Sequence, residues 1–158
     1  MVVSDTSPLN YLILIDQINL LPQLYRRVYV PGSVLDELNA PETPDLVRPW
    51  GKSLPDWLEV SHDVGTPAPD LSQLHAGERD AISLALQLKA DALIIDERRG
   101  RQEAEKRGLR VIGTLGVLVV AHERGLVDLT AAIDRLRQTT FHVSPKLLAA
   151  ILSKYQSK

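Results

Sequence analysis

At 158 residues, 44% hydrophobic and 24% charged, the chain has the make-up of a globular protein large enough to bury a core. It has no cysteine, which excludes disulfides, thiolate nucleophiles and cysteine-ligated zinc, and its histidines, His62, His75, His122 and His142, lack the close pairing of a histidine zinc site. A net charge of −2 argues against broad electrostatic capture of nucleic acid but leaves a local basic patch open.

The chain opens MVVSDTSPLNYLILI. Val2 and Val3 predict a short buried strand. Ser7-Pro8 followed by Leu9, Leu12 and Ile13 predicts a helix with Ser7 as N-cap and Pro8 in its first turn. Asp5 then falls between strand and helix, at the carboxyl edge of a sheet, where α/β proteins place ligand chemistry. A plain helix-capping role is the alternative. No basic residue precedes this apolar run, so a signal peptide is not expected. The longest apolar run, Val111 to Ala121, is far below the ~20 residues of a membrane crossing. A cytoplasmic protein with no membrane partner is the expectation.

Further strands are predicted at Val28-Tyr29-Val30, Leu58-Glu59-Val60, Ala92 to Ile95 and Arg110-Val111-Ile112, with helical patterns between most of them. This alternation favours an α/β fold with a mostly parallel sheet covered on both faces, in a single domain over 1–158. Residues 40–70 hold most of the ten prolines and read as an irregular insertion, with a short helix near Pro44 to Trp50 and one strand at its middle. Residues 126–158 read as two amphipathic helices. The first carries Leu126, Leu129, Ala132, Ile133 and Leu136, and the second Pro145, Leu147, Leu148, Ile151 and Leu152. Their apolar faces either complete the core or form a dimer seam.

Three segments echo the first. In PGSVLDELNAPE, a helix starting after Pro31 buries Val34 and Leu38 and sets Glu37 beside that face, with Asp36 pointing elsewhere. In HAGERDAISLALQL, the stripe of Ala81, Ile82, Ala85 and Leu88, extended one turn back, lands on Glu78. Asp80, rotated by about 200° from Glu78, is expected at solvent or the rim. In DALIIDERRGR, a strand runs directly into Asp96, repeating the geometry of Asp5. Helix capping explains each acid singly. Together, clustered carboxylates must take up protons or bind a cation, and an all-oxygen set suits Mg²⁺ or Mn²⁺.

The segments DTSPL, P-x-x-V-x-x-E from Pro31 to Glu37, GERDAISLA, LIIDERRGR, GLRVIGTLGVL and HVSPKLLAAIL, in this order and spacing, resemble the PIN domain superfamily. The likeness is to small prokaryotic members related to VapC-type toxins. The resemblance implies a three-layer α/β/α sandwich and a metal-dependent ribonuclease. Its site would consist of Asp5, Glu37, Glu78 and Asp96 as metal ligands, with Ser7 as the hydroxyl residue that follows the first acid. It also implies RNA as substrate, frequent homodimerisation and a small antitoxin partner. Two departures stand out: the third acid is a glutamate, and Arg98 occupies a position where many relatives carry another acid. Arg99 and Arg101, in the basic stretch beside Asp96, are weak candidates for RNA contact. The alternatives are a PIN-like module that binds RNA or protein without cutting, and an aspartyl-phosphate phosphotransferase, whose D-x-D pattern fails at Ser7.

Overall fold

The computed structural model describes residues 1–66 and 69–156. Two residues of the proline-rich stretch and the last two of the carboxyl-terminal segment lie outside the described residues. Five strands, β1 (Val2–Ser4), β2 (Val28–Pro31), β3 (Leu58–Ser61), β4 (Ala92–Ile94) and β5 (Val111–Ile112), form one sheet in the order β3-β2-β1-β4-β5. Every pairing is parallel, with Val2 opposite both Val28 and Ala92 and Leu93 opposite Val111.

Parallel strands need crossovers, and these carry the helices α1 (Thr6–Leu14), α2 (Leu20–Tyr25), α3 (Gly32–Leu38), α4 (Arg48–Lys52), α5 (Ala76–Leu88) and α6 (Arg98–Lys106), while α7 (Thr114–Glu123) follows the last strand. The period of two along each strand divides the core. Val2, Val28, Val30, Ala92 and Ile94 pack against Leu9 and Leu12 of α1 and Val117 and Leu118 of α7. Val3, Leu93 and Ile95 pack on the other face against Ile82, Leu84 and Ala85 of α5 and Ala104 of α6. Each fully buried leucine or valine here is worth about 2 kcal/mol. The expected α/β/α sandwich is therefore the observed one, with a sheet that is parallel throughout the described residues.

The first helix starts two residues earlier than expected. Asp5, not Ser7, is the N-cap, with φ −83° and ψ 175°, and Pro8 becomes the third helical residue. Proline is tolerated there because the first N–H groups of a helix have no intrahelical partner. The Asp5 side chain makes no capping hydrogen bond. In the proline-rich stretch the short helix α4 lies slightly later than expected, with Pro49 in its first turn. The strand of that stretch, β3, forms one edge of the sheet.

Of the last two helices, α8 (Leu129–Arg137) buries Leu129, Ala132, Ile133 and Leu136 in the core beside α7. The second, α9 (Pro145–Gln156), packs on α8 through Leu148, Ile151, Leu152 and Tyr155, while Leu147 stays half-exposed. Among the described residues no helix is long and apolar enough to cross a membrane.

Candidate metal and nucleic-acid site

Three neighbouring strands end on the same edge of the sheet, and each runs straight into a helix. The Asp5 N–H donates to the Ile94 carbonyl at 2.9 Å, and the Ile95 N–H donates to the Ile112 carbonyl at 2.9 Å, so β1, β4 and β5 stay in register to their ends. Beyond them come Asp5 before α1, Asp96 before α6 and Gly113-Thr114 opening α7. Thr114 holds Asp96 at both oxygens: its N–H donates to Oδ1 and its hydroxyl to Oδ2, each at 2.7 Å. A Cβ on Gly113 would come within 2.8 Å of Asp96 Oδ1, so the close approach needs glycine.

Glu37 and Glu78 reach the same edge from α3 and α5, which pack against each other. The Thr6 hydroxyl donates to Glu37 Oε2 at 2.9 Å. Gly77 makes room for that carboxylate, since a Cβ there would stand 2.0 Å from Glu37 Oε2. Glu78 is only 6% exposed, at the head of the buried stripe of Ala81, Ile82 and Ala85. Its Oε1 accepts the His75 N–H at 3.3 Å in a capping box, and its Oε2 is buried without a hydrogen-bond partner. Asp80 sits at the rim, paired with Arg79 at 3.2 Å, and its charge reaches Glu37.

Burial raises the proton affinity of all four acids, and the charge of neighbouring acids adds to it at Asp5, Glu37 and Glu78. Asp5, 4% exposed, is pushed from 3.8 to about 7, first by burial and then by the charges of Glu78, Glu37 and Asp96, against the opposing Thr6 N–H. Glu37 is raised by burial, with the Thr6 hydroxyl opposing. Burial also raises Asp96, against the two Thr114 hydrogen bonds and the nearby Arg101. Glu78 is raised by burial and then by the charge of Glu97, whose carboxylate lies within hydrogen-bonding reach. For Glu97 burial acts upward, yet the Gly100 and Arg99 N–H groups and the contact with Glu78 outweigh it and the net displacement is downward.

These acids share one electrostatic field, but they do not form a finished coordination sphere. Among the described residues no three Asp, Glu or His groups converge closely enough to hold a metal ion as placed. Thr6 holds Glu37 and Thr114 holds Asp96. The donor set nevertheless fits a hard divalent cation. It is all oxygen, it carries an excess of negative charge around Asp5, and it includes the partnerless Glu78 Oε2.

Ser7, displaced from the cap, lines a groove of about 820 Å³ together with Asp96, Glu97 and Arg101. The groove continues past Ile112 and Gly113 to Tyr11 and Phe141, whose rings meet edge to face at 4.9 Å. Arg101 stands beside Asp96, whereas Arg99 is drawn away to Gln73, with which it hydrogen-bonds. Several residues that shape the site escape a reading of the sequence: Thr6, Gly77, Glu97 and Thr114. Thr6 and Thr114 had a signal, since each follows a strand at the same edge as the aspartates.

Neither a curated protein nor a solved structure matches the chain significantly. The family model for the PIN domain matches residues 1–157. With the parallel sheet and the acids at its carboxyl edge, that match settles the family: the chain belongs to the PIN domain family, a nuclease-type fold whose members typically work with divalent metal.

Proposed function

We propose that the chain is a Mg²⁺- or Mn²⁺-dependent endoribonuclease in which Asp5, Glu37, Glu78 and Asp96 hold the metal. The observation that carries this reading is Asp5 itself, 4% exposed at the carboxyl edge of the sheet and driven to about 7 by burial and by the charges of Glu78, Glu37 and Asp96. Sequestering acids in this way is costly unless a cation or a proton offsets it. The cation, when bound, supplies Lewis acidity for activating water and counter-charge for the phosphate. Thr6 and Thr114 fix two of the carboxylates, and one of the four accepts a proton from the attacking water. Ser7 orients a water or a phosphate oxygen. Arg101 contacts the RNA backbone from the groove beside Asp96, with Arg99 a weaker second contact.

Purified protein should cut RNA endonucleolytically with Mn²⁺ or Mg²⁺, stop on chelation and resume when metal is restored. A second reading, a PIN-like module that binds RNA or protein without cutting, draws on the unconverged carboxylates. Saturable RNA binding without cleavage under any divalent metal favours that reading and overturns the first.

The VapC-type resemblance extends the proposal to a cytoplasmic toxin with a small antitoxin partner, acting as a homodimer through an apolar face such as that of α9, where Leu147 is half-exposed. Expression of the chain alone should arrest growth, and the Asp96→Asn variant should not. Harmless overexpression of active enzyme removes the toxin part of the proposal and leaves the nuclease.

A further inference from the structure

A fifth carboxylate stands beside Glu78, one of the four acids used so far. Glu97 is the N-cap of α6, and its Oε2 accepts the Gly100 N–H at 2.8 Å. The same side chain lies within hydrogen-bonding reach of the Glu78 carboxylate. Glu78 is 6% exposed, and its Oε2 has no donor. That oxygen rests against the first turn of α6, because a Cβ built on Gly100 would stand 3.2 Å from it. Ionised together, two facing carboxylates repel unless a proton or a cation stands between them, and the repulsion is strong where water is excluded.

Capping alone does not account for this arrangement. Asp128 caps α8 by accepting the Thr130 N–H at 3.2 Å, with no second acid involved. A glutamine would still accept the Gly100 N–H, though without the charge that favours a helix N-terminus, and would donate to Glu78. Beyond capping, a glutamate places a second negative charge opposite a sealed carboxylate oxygen.

We propose that Glu97 is a fifth carboxylate of the metal site, joined to Glu78 around the bound divalent cation at the first turn of α6. The proposal rests on the four-acid reading above. It makes α6 a part of the site, so cation binding also fixes the helix that carries Arg101 to Asp96.

The test is calorimetric titration with Mn²⁺ alone, on the full chain, for the parent, Glu97→Gln, Glu97→Asp and Asp5→Asn, with thermal melts in EDTA. Glu97→Gln should bind Mn²⁺ about tenfold more weakly or worse, as supporting ligands typically do when lost. Its metal-free melting temperature should stay the same or rise, since the cap is retained and Glu78 gains a donor. Glu97→Asp, which keeps the charge on a shorter arm, should fall between. Parent-like Mn²⁺ affinity in Glu97→Gln, or an affinity for Glu97→Asp below that of Glu97→Gln, overturns the proposal. If Asp5→Asn loses Mn²⁺ while Glu97→Gln keeps it, the four-acid site stands and only Glu97 is dismissed. No saturable uptake by the parent removes both.

Discussion

Asp5→Asn is expected to abolish RNA cleavage, by a thousandfold or more, and at the same time to make the metal-free protein more stable at neutral pH. A thousandfold loss corresponds to ~4 kcal/mol on the barrier. The stability effect follows from linkage. The folded-state value of Asp5 is raised from 3.8 to about 7. Between those pH values the folded chain holds a proton that the unfolded chain has released, so stability falls as pH rises through the window and levels off above it. At about 1.4 kcal/mol per unit, the ceiling on this penalty is roughly 4 kcal/mol. Asparagine keeps the shape and cannot ionise, so its contribution is flat. Urea unfolding in EDTA from pH 4 to pH 8 reads the effect directly: the parent should lose stability across the range by more than the variant. Parallel pH profiles for the two proteins would show that Asp5 ionises without penalty. With Mn²⁺ present the order should reverse, because only the parent retains all four ligands.

Gly77→Ala should cost about a hundredfold in kcat with a change in stability of about 1 kcal/mol or less. The added Cβ would stand 2.0 Å from Glu37 Oε2 and 2.9 Å from its Cδ. The obstructing atoms are the end of a flexible side chain, so the overlap is relieved by swinging the carboxylate away and the backbone keeps its place. That movement gives up the Thr6 hydrogen bond at 2.9 Å. Alanine is the better helix former by up to ~1 kcal/mol, which offsets part of the loss. A group misplaced by about 1 Å in an active site can cost 10²-fold. If the effect runs through Glu37, the double variant Gly77→Ala, Glu37→Gln should be little worse than Glu37→Gln alone. Additive losses, or an unimpaired Gly77→Ala, would place the Glu37 carboxylate outside the chemistry.

What the sequence disclosed and what it withheld divide along a physical line. The strands were legible because their β-branched and aliphatic runs are local, and the two strand-end aspartates came with them. Glu78 was legible because a 3.6-residue period carries a buried stripe back to it. The start of α1 was not, because a proline fits the third helical position as well as the first, and Pro8 therefore permits either Thr6 or a later residue to open the helix. Glu97 and Gly77 were hidden for another reason, and so was the partner of Thr114. Their parts depend on which element lies opposite, and Thr114 meets Asp96 only because β5 is the neighbour of β4. No local pattern records that neighbour. The PIN family resemblance supplied the identities of the acids but not the residues that hold them in place.

The position of β1 in the strand order bears on synthesis. One of its sides is filled by β2, some 26 residues downstream in register, as Val2 faces Val28, but the other waits for β4, as Val2 also faces Ala92. A chain emerging amino end first holds β1 with one open edge until residue 94 is available, so folding is dominated by late, non-local pairing and is slow. The acids arrive in the order Asp5, Glu37, Glu78, Asp96, and the threonine that grips the last comes only at 114. A nascent or truncated chain ending before that point carries the first aspartate but no assembled centre.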